Sequence, residues 1–417
     1  MLSRPLGAIL AVVVGVSAAS AQPAPFPGLP PTAASFPDGV GVATDGGIST
    51  AAVGMGGPDP YRWWLSAEYM LAYTKSTSLV PLVSVGSVAS GGVLGAGGAS
   101  PLGGGDVDFG GVSGARFTGG VWLDGCRAYA LDWGVFFLPR QQTTTTFSAN
   151  PGEVLARPFF DTALNVENSR RIASPGLFTG SVTNTYRSLF WGAELGTRLR
   201  VLETPTFALE QLFHFRYYAL EESFESSDRS AALAGGVVTF NGQAFGPPAE
   251  VRVSDFYSVQ NRWYGGSAGL RFMWTPGRWE FRLDGRLGVG TMQQNVTIEG
   301  TTTLANAGAE ATTRPGFYTA AQIPIKTTNY RFSLAPDVQA RLGYRVTDWL
   351  MVTAGYQFLY LTDVARPSDQ IIRRLNPGQI PSSQTFGAAA PGINPVPNIV
   401  STDYWMHGLT AGLMITF

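Results

Sequence analysis

The residues with most chemical potential in this 417-residue chain are acids and bases placed at alternate positions of apolar segments. In the segment Trp279–Val289, the charged residues Glu280, Arg282 and Asp284 alternate with aromatic and aliphatic residues. Successive side chains of a β-strand point to opposite faces, so this pattern predicts a strand with one apolar and one charged face. Such charges can pair with one another, or they can line a passage that selects small polar or charged solutes. The candidates for this charged face are Glu68, Asp132, Glu194, Arg198, Glu210, His214, Arg216, Glu280, Arg282, Asp284, Arg286, Asp337 and Arg341.

The two histidines, His214 and His407, are the candidates for acid–base catalysis. Alternation places His214 on the charged face near the middle of a strand, whereas His407 points to the apolar face. Ser401 and Asp403 lie close to His407 in sequence, so a hydrolase with a surface site is one hypothesis. A catalytic base also needs a positioned nucleophile and an orienting partner, which favours a structural role for both histidines. With two histidines and one cysteine, the sequence predicts no metal centre and no cofactor.

The composition is poor in charge for an exported protein. Charged residues make up 14% of the chain, against about 25% in typical soluble domains. The net charge is −1, so nothing requires a nucleic-acid partner.

The amino terminus has the three parts of an export signal. Arg4 supplies a positive charge, Leu6–Val16 is apolar, and small residues at Ala19 and Ala21 form a cleavage site. We expect residues 1–21 to be removed and residues 22–60, rich in proline and glycine, to form a flexible leader. The apolar run is shorter than the roughly 20 residues that a membrane-spanning helix needs.

Residues 61–417 read as ten alternating segments joined in turn by short and long connections. The short turns are predicted at 124–127, 203–206, 275–278 and 347–348. The long loops are predicted at about 75–113, 140–180, 223–255, 299–328 and 363–402. Short turns on one side and long loops on the other are typical of an up-and-down barrel in the bacterial outer membrane.

A soluble β-sandwich also alternates, but the aromatic residues argue for a membrane barrel. Tyr264 and Trp274 lie ten residues apart, which fits a strand of roughly 9–11 residues with an aromatic residue at each interface. The apolar faces would then contact outer-membrane lipid, and the charged faces would point into the lumen. The predicted fold is therefore all-β, a single antiparallel transmembrane barrel.

The carboxy-terminal strand resembles that of outer-membrane proteins. In that class, the barrel-assembly machinery recognises alternating apolar residues that end in phenylalanine. The residues that match here are Leu409, Ala411, Leu413, Ile415 and Phe417. The usual aromatic residue two places before the end is replaced by Ile415.

Four stretches of the chain resemble the seventh of the putative β-barrel porin families, which are abundant in planctomycete bacteria. They are Trp64-x-x-Ala67-Glu68-Tyr69, Gly114-x-Arg116-Phe117-x-x-Gly120-x-Trp122-Leu123, Leu155–Asp161, and Leu189-x-Trp191-Gly192-Ala193-Glu194. The resemblance implies an outer-membrane β-barrel and little about a solute. The stretch Arg157–Asp161 falls within a predicted outer loop. It is either an ordered loop packed into the barrel mouth or part of an extra hairpin, which would give twelve strands.

A lumen formed by ten or twelve strands is narrow. About eight strands leave an interior that side chains fill, while 16–18 strands leave an aqueous channel. The sequence therefore predicts a narrow porin-like channel for small polar or charged solutes. The alternatives are a barrel with a closed lumen that acts structurally or binds at the surface, and an outer-membrane hydrolase.

Overall fold

The computed structural model describes residues 62–321, 325–388 and 399–417. The predicted export signal and leader lie outside the described residues. Ten antiparallel strands form one sheet that closes on itself, because each strand pairs with its neighbours in sequence and the last pairs with the first. The strands are β1 (Trp63–Thr74), β2 (Val112–Trp122), β3 (Tyr129–Ser148), β4 (Phe178–Glu203), β5 (Phe207–Ala232), β6 (Glu250–Trp274), β7 (Trp279–Asn306), β8 (Ile325–Arg345), β9 (Leu350–Ala365) and β10 (Ser401–Thr416). The predicted all-β barrel of ten strands is confirmed.

The barrel closes between the first and last strands at the end that carries the short turns. The backbone N–H of Trp63 donates to the carbonyl oxygen of Phe417 at 2.8 Å, and the N–H of Phe417 donates to the carbonyl of Trp63 at 2.9 Å. The pairing continues from Trp64 opposite Thr416 to Thr74 opposite Met406. Closure leaves no free sheet edge at this level, which a hydrocarbon environment requires.

Several strands extend far beyond the length needed to cross a membrane. Strands β4, β5, β6 and β7 contain 26, 26, 25 and 28 residues. The predicted loops 140–180, 223–255 and 299–328 are therefore shorter than expected, because the paired strands continue into them. The polar residues of these extensions still alternate and still pair across strands, for example Thr146 with Thr183.

A second, smaller sheet lies inside the long part of the barrel. It combines a hairpin with three short strands, and we call it the inner sheet. Its strands are Glu153–Asp161, Val166–Ala173, Val83–Ser87, Ala99–Leu102 and Arg374–Leu375. Hairpin residues such as Leu155 and Ile172 are fully buried in one hydrophobic cluster with Val251 and Val253 of β6. The stretch Arg157–Asp161 thus belongs to an ordered element in the barrel mouth and adds no strands to the barrel.

The remaining elements are short and lie in the outer loops. The minor strands are Thr77–Leu79 with Gly105–Val107, Val238–Phe240 with Gln243–Phe245, and Ala309–Thr313, which pairs with β7. The 3₁₀ helices are Tyr318–Ala321, Ser368–Gln370 and Pro377–Gln379. Among the residues described, no helix has the length and apolar character needed to cross a membrane.

The apolar face of the barrel tests the strand register directly. We predict that Leu283→Arg prevents insertion, because Leu283 points outward, is 51% exposed and lies about 13 Å from the turn at about 3.3 Å per residue. An arginine near the midplane of the lipid face costs roughly 2–4 kcal/mol. The folded fraction on a heat-shift gel measures the effect, with Leu283→Ala as the control. Equal folded fractions for the two variants would contradict the register.

Candidate functional site

The charged residues predicted for one face all lie on the inward side of the barrel wall. Glu210, Arg216 and Asp284 are almost completely buried although their strands span the membrane. Each acid and each arginine among the candidates contacts at least one side chain of opposite charge, and His214 contacts Asp132. The lumen therefore contains a network of ion pairs arranged in connected groups.

The group nearest the short turns is built around Asp132 and Glu210. Arg198 donates a hydrogen bond of 3.3 Å to Glu210 and forms an ion pair with Asp132, with 2.9 Å between its Nε and the carboxylate. His214 Nε2 lies 2.8 Å from the second oxygen of Asp132. Arg271 extends the group, because it holds Asp284 through two hydrogen bonds of 2.8 and 2.7 Å.

A second group crosses the lumen at the next level. Arg286 contacts Glu194 of β4 at 3.0 Å and Asp337 of β8 at 2.8 Å. Arg216 of β5 contacts the same two carboxylates, with 3.2 Å between its Nε and Glu194. Two arginines and two carboxylates from four strands thus balance one another in the middle of the barrel.

The third group joins the strands near the barrel closure. Arg341 of β8 contacts the buried carboxylate of Glu68 on β1. Arg116 of β2 lies 4.0 Å from Glu68 and donates to Gln357 at 3.1 Å. Arg282 pairs with Glu280 at 2.8 Å. Together the three groups connect strands around most of the circumference.

Three further arginines of the network were not among the predicted candidates. Arg116, Arg200 and Arg271 all point inward, and each contacts a carboxylate or an amide of the network. Their positions alternate with apolar residues in the same way as the predicted ones, so the signal was present in the sequence. The alternation of charged and apolar residues is harder to recognise in β2 and β6, because the inward faces of these strands also contain glycine, serine and threonine.

The turn end of the network is covered by tryptophans. The guanidinium of Arg198 lies over the ring of Trp64 at 4.1 Å, and that of Arg200 lies over Trp122 at 4.6 Å. Arginine over an aromatic face gains a cation–π interaction. These rings line a cavity of about 470 Å³ that opens to the turn side of the barrel.

Little space remains between the paired side chains. Two cavities of about 30 and 40 Å³ lie among residues of the network. A water molecule needs at least about 10–15 Å³ measured in this way, so each cavity holds only a few waters. Side chains of the network occupy the lumen between these two cavities.

The inner sheet occupies part of the outer half of the barrel, and Arg157 attaches it to the wall. A cavity of about 750 Å³ remains beside the sheet, lined by residues that include Phe159, Val251 and Phe317. Arg157 is fully buried and contacts Asp228 of β5 at 2.9 Å and Asp255 of β6 at 2.8 Å. Its guanidinium also lies 4.5 Å from the ring centre of Tyr318. Burial alone would lower the pKa of Arg157, but the carboxylates of Asp255 and Asp228 raise it above its usual value. The charged form of Arg157 is therefore favoured at this buried position.

A second buried arginine attaches the loop that follows β9. Arg366 donates two hydrogen bonds to Glu222 of β5, at 3.0 and 2.7 Å. It also donates to the carbonyl oxygen of Ser76 at 2.7 Å, in the loop that follows β1. Two loops from opposite ends of the sequence are thus fixed to one inward-facing carboxylate.

The histidines have contacts of different kinds. His214 is buried within the ion-pair network, whereas His407 stacks against the rings of Tyr73 and Trp405 at centroid distances of 5.5 and 5.4 Å. Asp403 pairs with Lys75 at 2.7 Å, and Ser401 accepts a hydrogen bond from Gln294 at 2.8 Å. The residues considered for a surface hydrolase are engaged with other partners and do not meet.

The residues of the carboxy-terminal pattern all point away from the lumen. Leu409, Ala411, Leu413 and Ile415 are exposed on the outer face of β10, and Phe417, directly after the strand, is exposed as well. The inward positions of β10 include the buried Met406 and Met414. This division matches an apolar face toward lipid.

The closed ten-strand sheet, its apolar outer face and its charged interior define an outer-membrane β-barrel protein. The chain belongs to the family described as Putative beta barrel porin-7 (BBP7), whose model matches residues 64–417. No curated protein matches the sequence.

Three of the solved structures that are similar to this chain share little sequence identity with it. The outer membrane protease OmpT from Escherichia coli has a TM-score of 0.40 and 11% identity, covering 86% of this chain and 97% of that chain. The toluene transporter TodX from Pseudomonas putida has a TM-score of 0.20 and 8% identity, covering 86% and 91%. An anion-selective porin from Comamonas acidovorans has a TM-score of 0.15 and 9% identity, covering 85% and 100%. These likenesses are too distant to carry over an activity or a solute.

Proposed function

We propose that this protein is an outer-membrane barrel with a closed lumen, in which the inner sheet supports the surface loops. One observation carries the proposal: the ion-pair network occupies one level of the lumen, and the inner sheet occupies the next. The ion-pair network leaves spaces of about 30 and 40 Å³, and the inner sheet is fixed above it by the buried Arg157. A barrel of this kind acts through the surface that it holds outside the membrane.

A narrow channel for small polar or charged solutes is the second candidate. It is supported by the description of the family as porins and by the charged, water-sized spaces in the lumen. A cavity of about 470 Å³ would serve as its periplasmic entrance. For a solute to pass, arginines such as Arg216 and Arg286 would have to leave their carboxylates, and the inner sheet would have to move.

Single-channel conductance in a planar bilayer separates the two candidates. For the refolded protein we predict no discrete current steps. We predict the same for a variant in which a glycine–serine linker replaces residues 152–175, because the ion-pair network still occupies the lumen in that variant. A heat-shift gel first establishes that both proteins are folded. Discrete steps with the unaltered protein would overturn the closed lumen and support the channel. Steps only in the shortened variant would assign the closure to the inner sheet.

We do not propose an enzyme. A hydrolase needs a nucleophile in contact with its base, whereas Ser401 and His407 contact other residues. The partners that we propose are outer-membrane lipid along the apolar face and the barrel-assembly machinery at β10, and removal of the export signal after Ala21 stays a prediction.

The role of β10 in assembly gives a further prediction. We expect Phe417→Ala to lower the amount of folded protein in the outer membrane of cells severalfold, because the terminal aromatic residue would be missing from the recognised pattern. The side chain of Phe417 is 58% exposed, so its loss should change refolding into detergent very little. Phe215→Ala is the control, because it removes an equally exposed phenylalanine from the outer face of β5, outside the recognised pattern. A parallel loss in cells and in detergent would indicate a structural role in place of recognition.

A further inference from the structure

On the side away from the short turns, the barrel wall has a gap between β3 and β8. Strand β3 pairs with β2 only from Ala130 to Phe137. On its other side, β3 stays paired with β4 as far as Ser148. Residues 139–148 of β3 therefore present one edge whose N–H and C=O groups have no strand partner among the described residues. A free edge of this length is a template for an additional strand.

The free edge of β3 lacks the features that usually protect such edges. Natural sheets discourage pairing with charged residues, proline or bulges at the edge. The register of β3 shifts where Pro139 and Arg140 lie, so the protection is confined to the lower end. Above it, the segment Gln141–Ser148 has neither charge nor proline and contains four consecutive threonines, which favour extended backbone. Residues 142–146 are all exposed.

The free edge of β8 on the other side of the gap is protected. Strand β8 pairs with β9 only from Asp337 onward, which leaves residues 325–336 without a partner on that side. This stretch contains Lys326, Arg331 and Pro336. The hydroxyl of Thr362 also accepts a hydrogen bond of 3.0 Å from the backbone N–H of Leu334. Of the two edges, only that of β3 is open to pairing.

A cavity of about 330 Å³ lies on the inner side of the β3 edge. Thr143 and Thr145 of β3 line the cavity, together with the acidic residues Asp106 and Asp108. Asn184 also lines the cavity and is only 7% exposed, yet its Nδ2 has no hydrogen-bond partner within the described residues. The cavity thus combines an unused buried donor with two acidic groups.

We propose that the outer edge of β3 binds an extended polypeptide segment as an additional strand, and that a basic side chain of this segment enters the cavity beside Asp106 and Asp108. In this mode of recognition, main-chain hydrogen bonds supply affinity and pockets for alternate side chains supply specificity.

A second copy of this chain in the same membrane does not fit the edge. Two identical antiparallel strands are related by a two-fold axis perpendicular to their sheet. The barrel wall stands along the membrane normal, so this axis would lie in the membrane plane and place the second barrel in another membrane. Residues 22–61 contain no lysine or arginine, so they supply no basic side chain for the cavity. The partner is therefore a different polypeptide.

The proposal can be tested with labelled peptides and the full protein in detergent micelles. The probe is a ten-residue peptide of alternating threonine and valine with a central lysine. Two control peptides are used: in one, glutamate replaces the central lysine, and in the other, every backbone nitrogen of the lysine peptide is methylated. Fluorescence anisotropy should show the lysine peptide binding roughly fivefold more tightly than the glutamate peptide. Methylation should weaken binding by about tenfold or more, because it removes the main-chain donors.

The double variant Asp106→Asn with Asp108→Asn distinguishes the contribution of the strand edge to peptide binding from that of the cavity. We expect this variant to bind the lysine and glutamate peptides about equally well, whereas methylation of the backbone should still weaken binding as it does in the unaltered protein. Failure of the unaltered protein to bind the lysine peptide would overturn the proposal, as would equal binding of the methylated peptide. A preference that persists in the variant would place the binding elsewhere. Binding of purified lipopolysaccharide without peptide binding would assign this surface to a glycolipid.

Discussion

Replacing Arg157 with alanine is expected to release the inner sheet from the barrel wall while the membrane-spanning part stays folded. Hydrogen exchange followed by mass spectrometry should show peptides from residues 153–173 exchanging roughly a hundredfold faster or more, since removing one partner of a buried ion pair costs about 3–5 kcal/mol. Peptides from the turn end of the barrel should keep their protection.

The size of this effect follows from what Arg157 leaves behind. Its guanidinium contacts Asp228 and Asp255 and donates to Ser226 at 3.0 Å, and all four side chains are buried. Asp228 keeps a second partner, Arg170, at 2.7 Å. Asp255 keeps neutral donors, including the backbone N–H of residue 317 at 2.8 Å, but it loses its cation. An uncompensated carboxylate then remains in the outer core.

Two controls identify the cause of the expected release. Arg171→Ala alters an exposed arginine of the same hairpin and should leave exchange unchanged. The double variant Arg157→Met with Asp255→Asn removes both charges at similar volume, and we expect it to recover most of the lost protection. If the double variant exchanges as fast as Arg157→Ala, packing around the arginine would be the cause and its charge would not.

The barrel was predictable because its cause is local and repeated. Alternation is read from neighbouring residues, and every strand from β1 to β10 obeys it where lipid lies on one side and the lumen on the other. The strand number and the short turns followed from the same pattern. The strand ends on the outer side did not, because polar alternation above the membrane resembles a loop in sequence and becomes strand only through pairing with a neighbour.

The inner sheet could not be predicted from periodicity. Its strands are as short as Arg374–Leu375, which pairs with Phe160 and Asp161 more than 200 positions away in sequence. Such pairing depends on the tertiary fold, and a single sequence carries no local signal for it. The resemblance through Arg157–Asp161 marked this stretch, but the contact of Arg157 with Asp228 and Asp255 needed the coordinates.

The charged lumen was predictable by face but not by partner. Parity on each strand placed Glu194, Arg216 and Asp337 inward. Which of them meet depends on the stagger of strands around the barrel, since β4, β5 and β8 are not all neighbours. Contacts across the lumen, such as that between Arg216 and Asp337, therefore come from the three-dimensional arrangement.

The largest effect within the lumen is expected for Arg216→Ala. Arg216 is fully buried and shares Glu194 and Asp337 with Arg286. Without it, one arginine faces two carboxylates in a space closed to all but a few water molecules. The free energy of unfolding should fall by about 3–5 kcal/mol. The temperature at which the folded band disappears from a heat-shift gel measures this loss.

The matched control for Arg216→Ala is Arg216→Met with Asp337→Asn, which restores the balance of one arginine and one carboxylate at nearly constant volume. We expect this control to unfold close to the temperature of the unaltered protein, because a buried pair can be replaced by neutral groups at little cost.

Conductance measurements on both variants then show whether the ion-pair network gates the lumen or only stabilises the barrel. If Arg216→Ala conducts with cation selectivity while the control stays closed, the excess lumen carboxylate attracts ions and the network is a gate. If neither conducts, the ion pairs hold the barrel together and the lumen stays closed without Arg216.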